Sequence, residues 1–362
     1  MTSSKVVWPL EPHTRGKHEV LRRYLEAWLA ILGSTSGRIV FIDGFAGPGE
    51  YETGEHGSPL IALDAFRQHR AKFRAEVKFV FIEKRPDRAA HLETLIAALK
   101  PSLPPRCEVQ VLRGAFDATM GSVLDMLDAQ RKTLAPAFVM VDPFGVSDTP
   151  MAVLHRILQN QKAELYVSFM YEAINRFKTT PEFERHLEGL FGTADWRKGL
   201  DKTGQEQKDF FYGLYESQLR KAGAKHVLHF DLYEGNRLVY AVFFATQHWL
   251  GSDRMKEAIW KVTPGDFEFH GTRSTQLTLG LATTDYRPLQ TGLQTRFRGK
   301  GWTTIEAIEE FVGSDQTDFH KGQLRAHALI PMEDQGLIEV VATTGKRRKH
   351  TYPNGKTKLR FL

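Results

Sequence analysis

The chain is most tightly constrained by Arg38-Ile39-Val40-Phe41-Ile42, a run that ends on Asp43 and is followed at once by Gly44-Phe45-Ala46-Gly47-Pro48-Gly49. Four consecutive β-branched and aromatic residues bounded by glycines predict a buried strand. Glycines at its end let the backbone turn sharply and approach a ligand, because no Cβ stands in the way. A nucleotide loop of the P-loop type needs Gly-Lys-Ser/Thr at the helix start, whereas Gly49 is followed by Glu50-Tyr51-Glu52. A dinucleotide loop leads directly into a helix that receives pyrophosphate, and here Glu50, Glu52 and Glu55 would meet that anion. A nucleoside carrying a cation fits better. S-adenosylmethionine is such a molecule, with a positive ammonium and sulfonium and no phosphate. A tight turn in an ordinary α/β sheet would look the same, so the other strand ends must decide.

A helix is predicted from Thr14, where Val20, Leu21, Tyr24, Leu25, Trp28, Leu29 and Leu32 recur at helical spacing up to Gly33. Lys17 and His18 stand in its first turn, where cations oppose the helix dipole; that placement makes them substrate-side candidates, although solvated surface residues are the plainer reading. After the long turn to Gly57, Ser58 as N-cap and Pro59 open a second helix. Val77 to Ile82 is the second strand. It ends on Glu83, where an acidic residue in a nucleoside-binding sheet accepts from the ribose hydroxyls, and Lys84 follows in the same set. A helix from Arg85 to Leu99 and a proline-rich loop lead to the strand Glu108 to Leu112; Ala115 and Phe116 beyond it are expected along the adenine edge. A helix from Thr119 to Leu134, the strand Ala137 to Val141, a helix from Met151 to Gln159 and the strand Ala163 to Met170 continue the alternation. That alternation predicts a parallel, doubly wound sheet with its ligand along the carboxyl ends of the strands.

From Tyr171 the chain turns helical and polar, with Asn175 and Arg176, further substrate candidates, at its start; this insertion or lid is assigned to 171–225. His226 to Leu232 and Leu238 to Thr246 then read as strands around Glu234-Gly235-Asn236, a hairpin. An antiparallel finish after five parallel strands is expected of a Rossmann-like methyltransferase sheet and not of the dinucleotide fold.

Of 362 residues, 41% are apolar and 25% charged, the composition of a globular protein long enough for one large domain or two. One cysteine, Cys107, allows no internal disulfide and no cysteine-built zinc site. No apolar run reaches the length of a membrane span and no signal peptide opens the chain, so a cytoplasmic setting without membrane is expected. The net charge of +6 is mild, but its distribution is uneven. Two helices, Trp302 to Val312 and Thr317 to Met332, precede a strand and the hairpin that carries Lys346, Arg347, Arg348, Lys349, Lys356, Lys358 and Arg360. Helix, helix, basic hairpin is the order of a winged helix that grips phosphates. A charged edge hairpin that discourages sheet aggregation is the plainer alternative. The expected domains are thus 1–270, methyltransferase-like, and 286–362, winged-helix-like and binding DNA or RNA.

Asp142-Pro143-Phe144-Gly145, at the fourth strand end, supplies the chemistry. An amine attacks a sulfonium methyl only when its lone pair lies on the reaction line, so acceptors must hold its N–H bonds aside. The Asp142 carboxylate and Pro143 carbonyl are two such acceptors. Phe144 can stack on an extruded base, and Gly145 lets the base approach the backbone. No metal is required.

Glu11-Pro12-His13-Thr14 with Lys17-His18, Phe41 to Gly49, Gly57-Ser58-Pro59-Leu60, Asp142 to Gly145, and Met255-Lys256 together resemble the three-Cys-motif partner proteins over nearly the whole chain. The resemblance implies a bacterial or phage-linked class I methyltransferase fold that works beside a companion with a three-cysteine motif. The Asp-Pro-Phe-Gly motif is also similar to that of tRNA guanine-N2 methyltransferases, which implies an exocyclic base amine as target. The expected function is methylation of nucleic acid with S-adenosylmethionine bound by Asp43, Gly44, Phe45, Ala46, Gly47 and Gly49. The alternative is a noncatalytic nucleic-acid-binding scaffold acting through the three-cysteine partner.

Overall fold

Among the described residues, eight strands form the central sheet in the order β3-β2-β1-β4-β5-β7-β6-β8. They are β1 (Arg38–Asp43), β2 (Glu76–Glu83), β3 (Cys107–Arg113), β4 (Ala137–Val141), β5 (Ala163–Phe169), β6 (His226–Glu234), β7 (Arg237–Thr246) and the short β8 (Glu268–Phe269). The first five are mutually parallel; β7 runs antiparallel to β5 and β6, and β8 lies parallel to β6. Burial explains the sequence pattern: β4 and β5 are buried at every position, as apolar runs covered on both faces must be, whereas the edge strand β3 alternates. The computed structural model describes residues 5–71, 73–264, 267–270, 284–343 and 345–362.

The chain divides into two compact units, Met1–Gln247 with Phe267–Gln276, and His248–Asp266 with Leu277–Leu362. In the first, helix α1 (Pro12–Thr35) precedes β1, and helices α2 (Ser58–Arg67), α3 (Pro86–Leu99), α4 (Phe116–Ala129) and α5 (Met151–Leu158) connect the parallel strands. Helix α1 begins two residues before the expected Thr14, because Pro12 is preorganised for the first helical position and needs no N–H there. Ser58 is the first residue of α2 and Gly57 its N-cap, a shift of one from the expected start. Helix α4 likewise starts at Phe116 and ends at Ala129.

Helix α1 has two roles along its length. Its lower part is core: Tyr24 and Trp28 pack on Phe138 of β4 at 5.4 and 6.2 Å between ring centroids. The Tyr24 hydroxyl donates to Glu164 Oε2 at 2.6 Å and Thr246 Oγ1 to Oε1 at 2.9 Å, so this buried carboxyl is fully engaged, and burial pushes its pKa up to about 7. Its first turns bury His13, Lys17 and His18 instead, at the end of the sheet where β1, β2 and β4 stop on or just before Asp43, Glu83 and Asp142.

The helical insertion is part of the core. Its helices α6 (Tyr171–Phe177), α7 (Glu184–Phe191) and α8 (Gly204–Lys221) bury Phe191, Phe211 and Tyr215 completely. The Tyr215 ring lies 4.7 Å from Phe169 of β5 and 5.2 Å from Phe243 of β7. The polar positions that make this stretch read as a lid are the solvent face of a layer covering the sheet.

The second unit contains α9 (Trp249–Val262), α10 (Arg287–Phe297), β9 (Thr303–Thr304) and α11 (Ile305–Gly313). These are followed by α12 (Lys321–Leu324), α13 (Ile330–Asp334), β10 (Ile338–Ala342) and β11 (Thr357–Phe361), and the strands pair antiparallel in the order β10-β11-β9. Helix α9 belongs here, although the sequence reading ends the first domain at 270. The Lys256 ammonium donates to the carbonyls of Val312 and Ser314 at 2.5 Å each and of Thr317 at 2.9 Å, and Gly313 packs on Trp249. The expected helix from Trp302 starts at Ile305, since Thr303 and Thr304 are taken by a strand. The expected helix from Thr317 starts at Lys321 and widens by a residue between α12 and α13, where the Ile330 N–H reaches back to Arg325 O. Pro331 has no N–H for the His327 carbonyl one turn earlier, and Gln290 Nε2 donates to that carbonyl at 2.9 Å.

Candidate functional site

A cleft of about 470 Å³ opens at the carboxyl edge of the first unit's sheet. One wall is the glycine loop after β1. Gly44 N–H donates to Met140 O at 2.8 Å and Ala46 N–H to Ile82 O at 2.9 Å, which ties the loop to both neighbouring strands. A Cβ on Gly44 would stand 2.4 Å from Phe116 Cδ2, so the close approach admits only glycine. Gly47 has φ of +62°, and its N–H donates to Glu83 Oε2 at 2.8 Å. The chain then continues as a closed loop: Gly57 N–H returns to Gly49 O at 2.7 Å, and the loop turns Tyr51 into the cleft.

Asp43 is wholly buried beneath this loop. Its Oδ1 accepts the Phe45 N–H at 3.1 Å, while Oδ2 has no hydrogen-bond partner among the described residues. Burial pushes its carboxyl up to about 7, against the pull of Ser58 and the Phe45 N–H. A wholly buried carboxyl with so few donors, Ser58 and the Phe45 N–H, under a loop with no lysine, suits a cationic ligand and not a phosphate.

The opposite wall comes from α1, the β4 end and β7. Lys17, 3% exposed, donates to Asp142 Oδ2 at 2.5 Å, and its ammonium lies 5.2 Å from the Tyr240 ring centroid. Burial opposes both charges, but each sustains the other: Lys17 holds the Asp142 carboxyl below the usual carboxylate range, and Asp142 raises the lysine above its own. Burial and the Lys17 charge push His18 down to about 3, so its imidazole is neutral. Burial also lowers His13, whose Nδ1 has no partner among the described residues. An aromatic rim completes the cleft, with Phe144 62% exposed, Trp8 at 5.5 Å from it, and the Arg88 guanidinium 4.5 Å from the Trp8 ring.

Of the residues selected from sequence, Lys17, His18, Phe45, Ala46, Gly47, Asp142, Pro143 and Phe144 line this cleft together. Asp43, Gly44, Gly49 and Gly145 shape its walls or flank them without lining it. Glu83 holds the loop: besides Gly47, the Arg85 N–H donates to its Oε1 at 2.7 Å. Lys84 is exposed and pairs with Asp148 at 3.1 Å. Ala115 is the N-cap of α4, and Phe116 is a core residue, 1% exposed, with the Phe45 ring 5.7 Å away. Asn175 and Arg176 lie on α6, where Asn175 helps line a separate polar cleft and accepts from Lys178 at 2.6 Å. Lys346 to Lys349 belong to the second unit. There Arg347 is largely buried in a pair with Glu333, and Lys349 meets Asp334 at 2.5 Å. Lys346 and Arg348 are exposed and have no ion pair among the described residues. Sequence reading did not select Trp8, His13, Tyr51, Arg88 and Tyr240, which also line the cleft. Tyr240 could have been noticed as the polar-tipped residue in an otherwise apolar strand.

No protein-family model matches the chain, and no curated protein is similar to it. The resemblance to the three-Cys-motif partner proteins therefore rests on the motifs alone. Among solved structures the chain is similar to the O-methyltransferase from Bacillus cereus in complex with SAH, at 13% identity over 66% of this chain and 82% of that one, with a TM-score of 0.34. It is also similar to the METTL16 methyltransferase domain, at 12% identity over 63% and 66%, with a TM-score of 0.34. A third likeness is to EvdMO1, at 12% identity and a TM-score of 0.32, and there the chain spans only 42% of the other's length. The strand order carries the assignment: five parallel strands as 3-2-1-4-5, then an antiparallel seventh inserted beside the fifth. The fold is that of a class I methyltransferase. No helix among the described residues is long and apolar enough to cross a membrane.

Proposed function

We propose that this protein is an S-adenosylmethionine-dependent methyltransferase that acts on an exocyclic base amine of nucleic acid. The observation that carries the reading is the placing of two acidic strand ends at one cleft: Asp43, wholly buried under the glycine loop that forms one wall, and Asp142, held ionised by Lys17 in the opposite wall beside the exposed Phe144. When bound, S-adenosylmethionine supplies an electrophilic methyl group on a sulfonium.

Asp43 and the backbone from Gly44 to Gly49 bind the methionine end, and Ala115 stands at the adenine edge, while the Phe116 ring supports the loop from the core. Glu83 already accepts from Gly47 and Arg85, but each carboxylate oxygen has a second lone pair, which serves the ribose. Asp142 and the Pro143 carbonyl accept the two N–H bonds of the target amine and direct its lone pair along the reaction line. Phe144 stacks on the base, and the neutral His18 leaves the amine unprotonated. The second unit, with helices followed by a hairpin bearing Lys346 and Arg348, is read as a winged-helix-like module for the phosphate backbone. A three-cysteine companion and a bacterial, cytoplasmic setting follow from the motif resemblance.

The test supplies labelled methyl donor with DNA, RNA and protein fractions and compares wild type with Asp142→Ala. Label entering one nucleic acid with wild type alone is the expected result. Donor binding without transfer to any fraction would instead favour the scaffold reading.

A further inference from the structure

Lys17 has more hydrogen-bonding capacity than its pair with Asp142 consumes. Its ammonium carries three N–H donors. One goes to Asp142 Oδ2 at 2.5 Å, and Tyr240 offers its ring face, at 5.2 Å, with its hydroxyl as a weak second acceptor, so that at least one donor is left over. At 3% exposure, water cannot freely supply the missing acceptors. A buried ammonium with spare donors is costly unless something in the site completes it. Lys17 lines the cleft, so a ligand there can do so.

The neighbouring atoms define what that ligand looks like. The Asp142 side chain is 28% exposed, uses Oδ2 on Lys17 and has the Ser168 hydroxyl beside it, and its two oxygens still keep lone pairs to accept with. Pro143 also lines the cleft, and its carbonyl accepts no hydrogen bond among the described residues. The site therefore presents one donor, Nζ, beside two acceptors, with Nζ and Oδ2 2.5 Å apart. Two nitrogens bonded to one carbon stand about 2.3 Å apart, as twice the C–N length opened at a trigonal angle requires. A ring nitrogen next to an amino group, the amidine edge, matches this arrangement: the ring nitrogen accepts from Lys17, and the amine gives one N–H to each acceptor. A lactam edge has only one N–H to give and leaves an acceptor bare.

We infer that Lys17 is a specificity residue, which reads the ring nitrogen adjacent to the amine that Asp142 and Pro143 hold. The inference rests on the proposed amine-directed function. It limits the substrate to amino-substituted bases with an unprotonated neighbouring ring nitrogen: adenine, cytosine, or the 2-amino edge of guanine. Uracil, thymine and hypoxanthine are rejected.

The test is equilibrium binding, so it does not depend on turnover. The full chain with S-adenosylhomocysteine is titrated with adenosine, cytidine and guanosine, with inosine and uridine, and with the 1-deaza, 3-deaza and 3-deaza analogues of the first three. The preferred aminated nucleoside is expected to bind about tenfold to a hundredfold more tightly than its deaza analogue, the range for a hydrogen bond to a charged group. Lys17→Met should reduce the parent to the level of the deaza compound and leave the deaza compound unchanged. Equal binding of parent and deaza analogue by wild type overturns the inference and needs no variant to fold. So does binding of inosine or uridine as tight as that of the aminated nucleosides, an equal weakening of both compounds by Lys17→Met, or a loss confined to S-adenosylhomocysteine. Failure of methyl transfer in the labelling assay would remove the enzymatic reading while leaving this comparison intact.

Discussion

Replacing Asp43 by asparagine separates the cost of the buried carboxylate from its use. Burial raises this carboxyl from 3.8 to about 7, which at 1.36 kcal/mol per pH unit amounts to about 4 kcal/mol at most. The sign follows from proton counting. Between pH 4 and 7 the folded wild type holds a proton that the unfolded chain has lost, so this group's contribution to stability falls as pH rises and is gone above 7. Asparagine does not titrate, but it places an NH₂ where Oδ2 now lacks a partner, at a cost of about 2 kcal/mol. The variant should therefore be less stable than wild type near pH 4 and more stable, by about 2 kcal/mol, at pH 8. The two profiles should cross at about pH 5. Urea unfolding at several pH values measures the difference directly, and other titrating groups cancel between the two proteins. Calorimetry with S-adenosylhomocysteine supplies the functional half. Asparagine should weaken binding about tenfold to a hundredfold at pH 8, and wild-type affinity should fall about tenfold from pH 8 to 6, as the carboxyl must lose a proton to meet the ammonium. Parallel stability profiles would refute the buried-anion argument. Unchanged affinity would remove Asp43 from the donor site.

Lys256→Met in the second unit should cost about 2–4 kcal/mol in urea unfolding. It strips the donor from the Ser314 and Thr317 carbonyls, while the Val312 carbonyl keeps Thr317 Oγ1 at 2.9 Å; a loss below 1 kcal/mol would contradict this. Gly44→Ala places a Cβ 2.4 Å from the Phe116 ring and should destabilise by about 1–3 kcal/mol, read as a lower thermal midpoint. In the basic hairpin, Lys346→Ala and Arg348→Ala should each lower the salt dependence of polyanion binding by about one counterion without loss of stability. Arg347→Ala should instead lower stability, because it leaves Glu333 unpaired.

The sheet was readable because β1, β4 and β5 are buried on both faces and β1 and β4 end on or just before an acid, so that period, length and punctuation agree. The acidic strand ends were also readable one at a time, at Asp43 and at Asp142. Their partnerships were not. Lys17 and Asp142 are 125 positions apart, and nothing local in either segment says that one neutralises the other. Phe116 follows a strand end as a ligand-edge residue would, yet the missing Cβ of Gly44 lets its ring sink under the loop. The run Lys346 to Lys349 looks uniform in sequence, but Glu333 and Asp334 take up Arg347 and Lys349. The insertion misled for a different reason: amphipathic helices have half their residues in water, and only the spacing of Phe191, Phe211 and Tyr215 distinguishes a covering layer from a lid.

The Lys17–Asp142 pair also bears on how this protein can change over generations. Removing Asp142 strands the buried Lys17 charge at about 3–5 kcal/mol, a large share of a domain's stability, and removing Lys17 leaves a part-exposed carboxylate unpaired at a smaller cost, whereas exchanging both for a neutral pair of similar volume is far milder. Single drift at either position is therefore purged before the cleft's chemistry is even consulted. Among homologues, positions 17 and 142 are expected to vary together or not at all, and a lineage that has lost both has kept the fold while giving up the reaction.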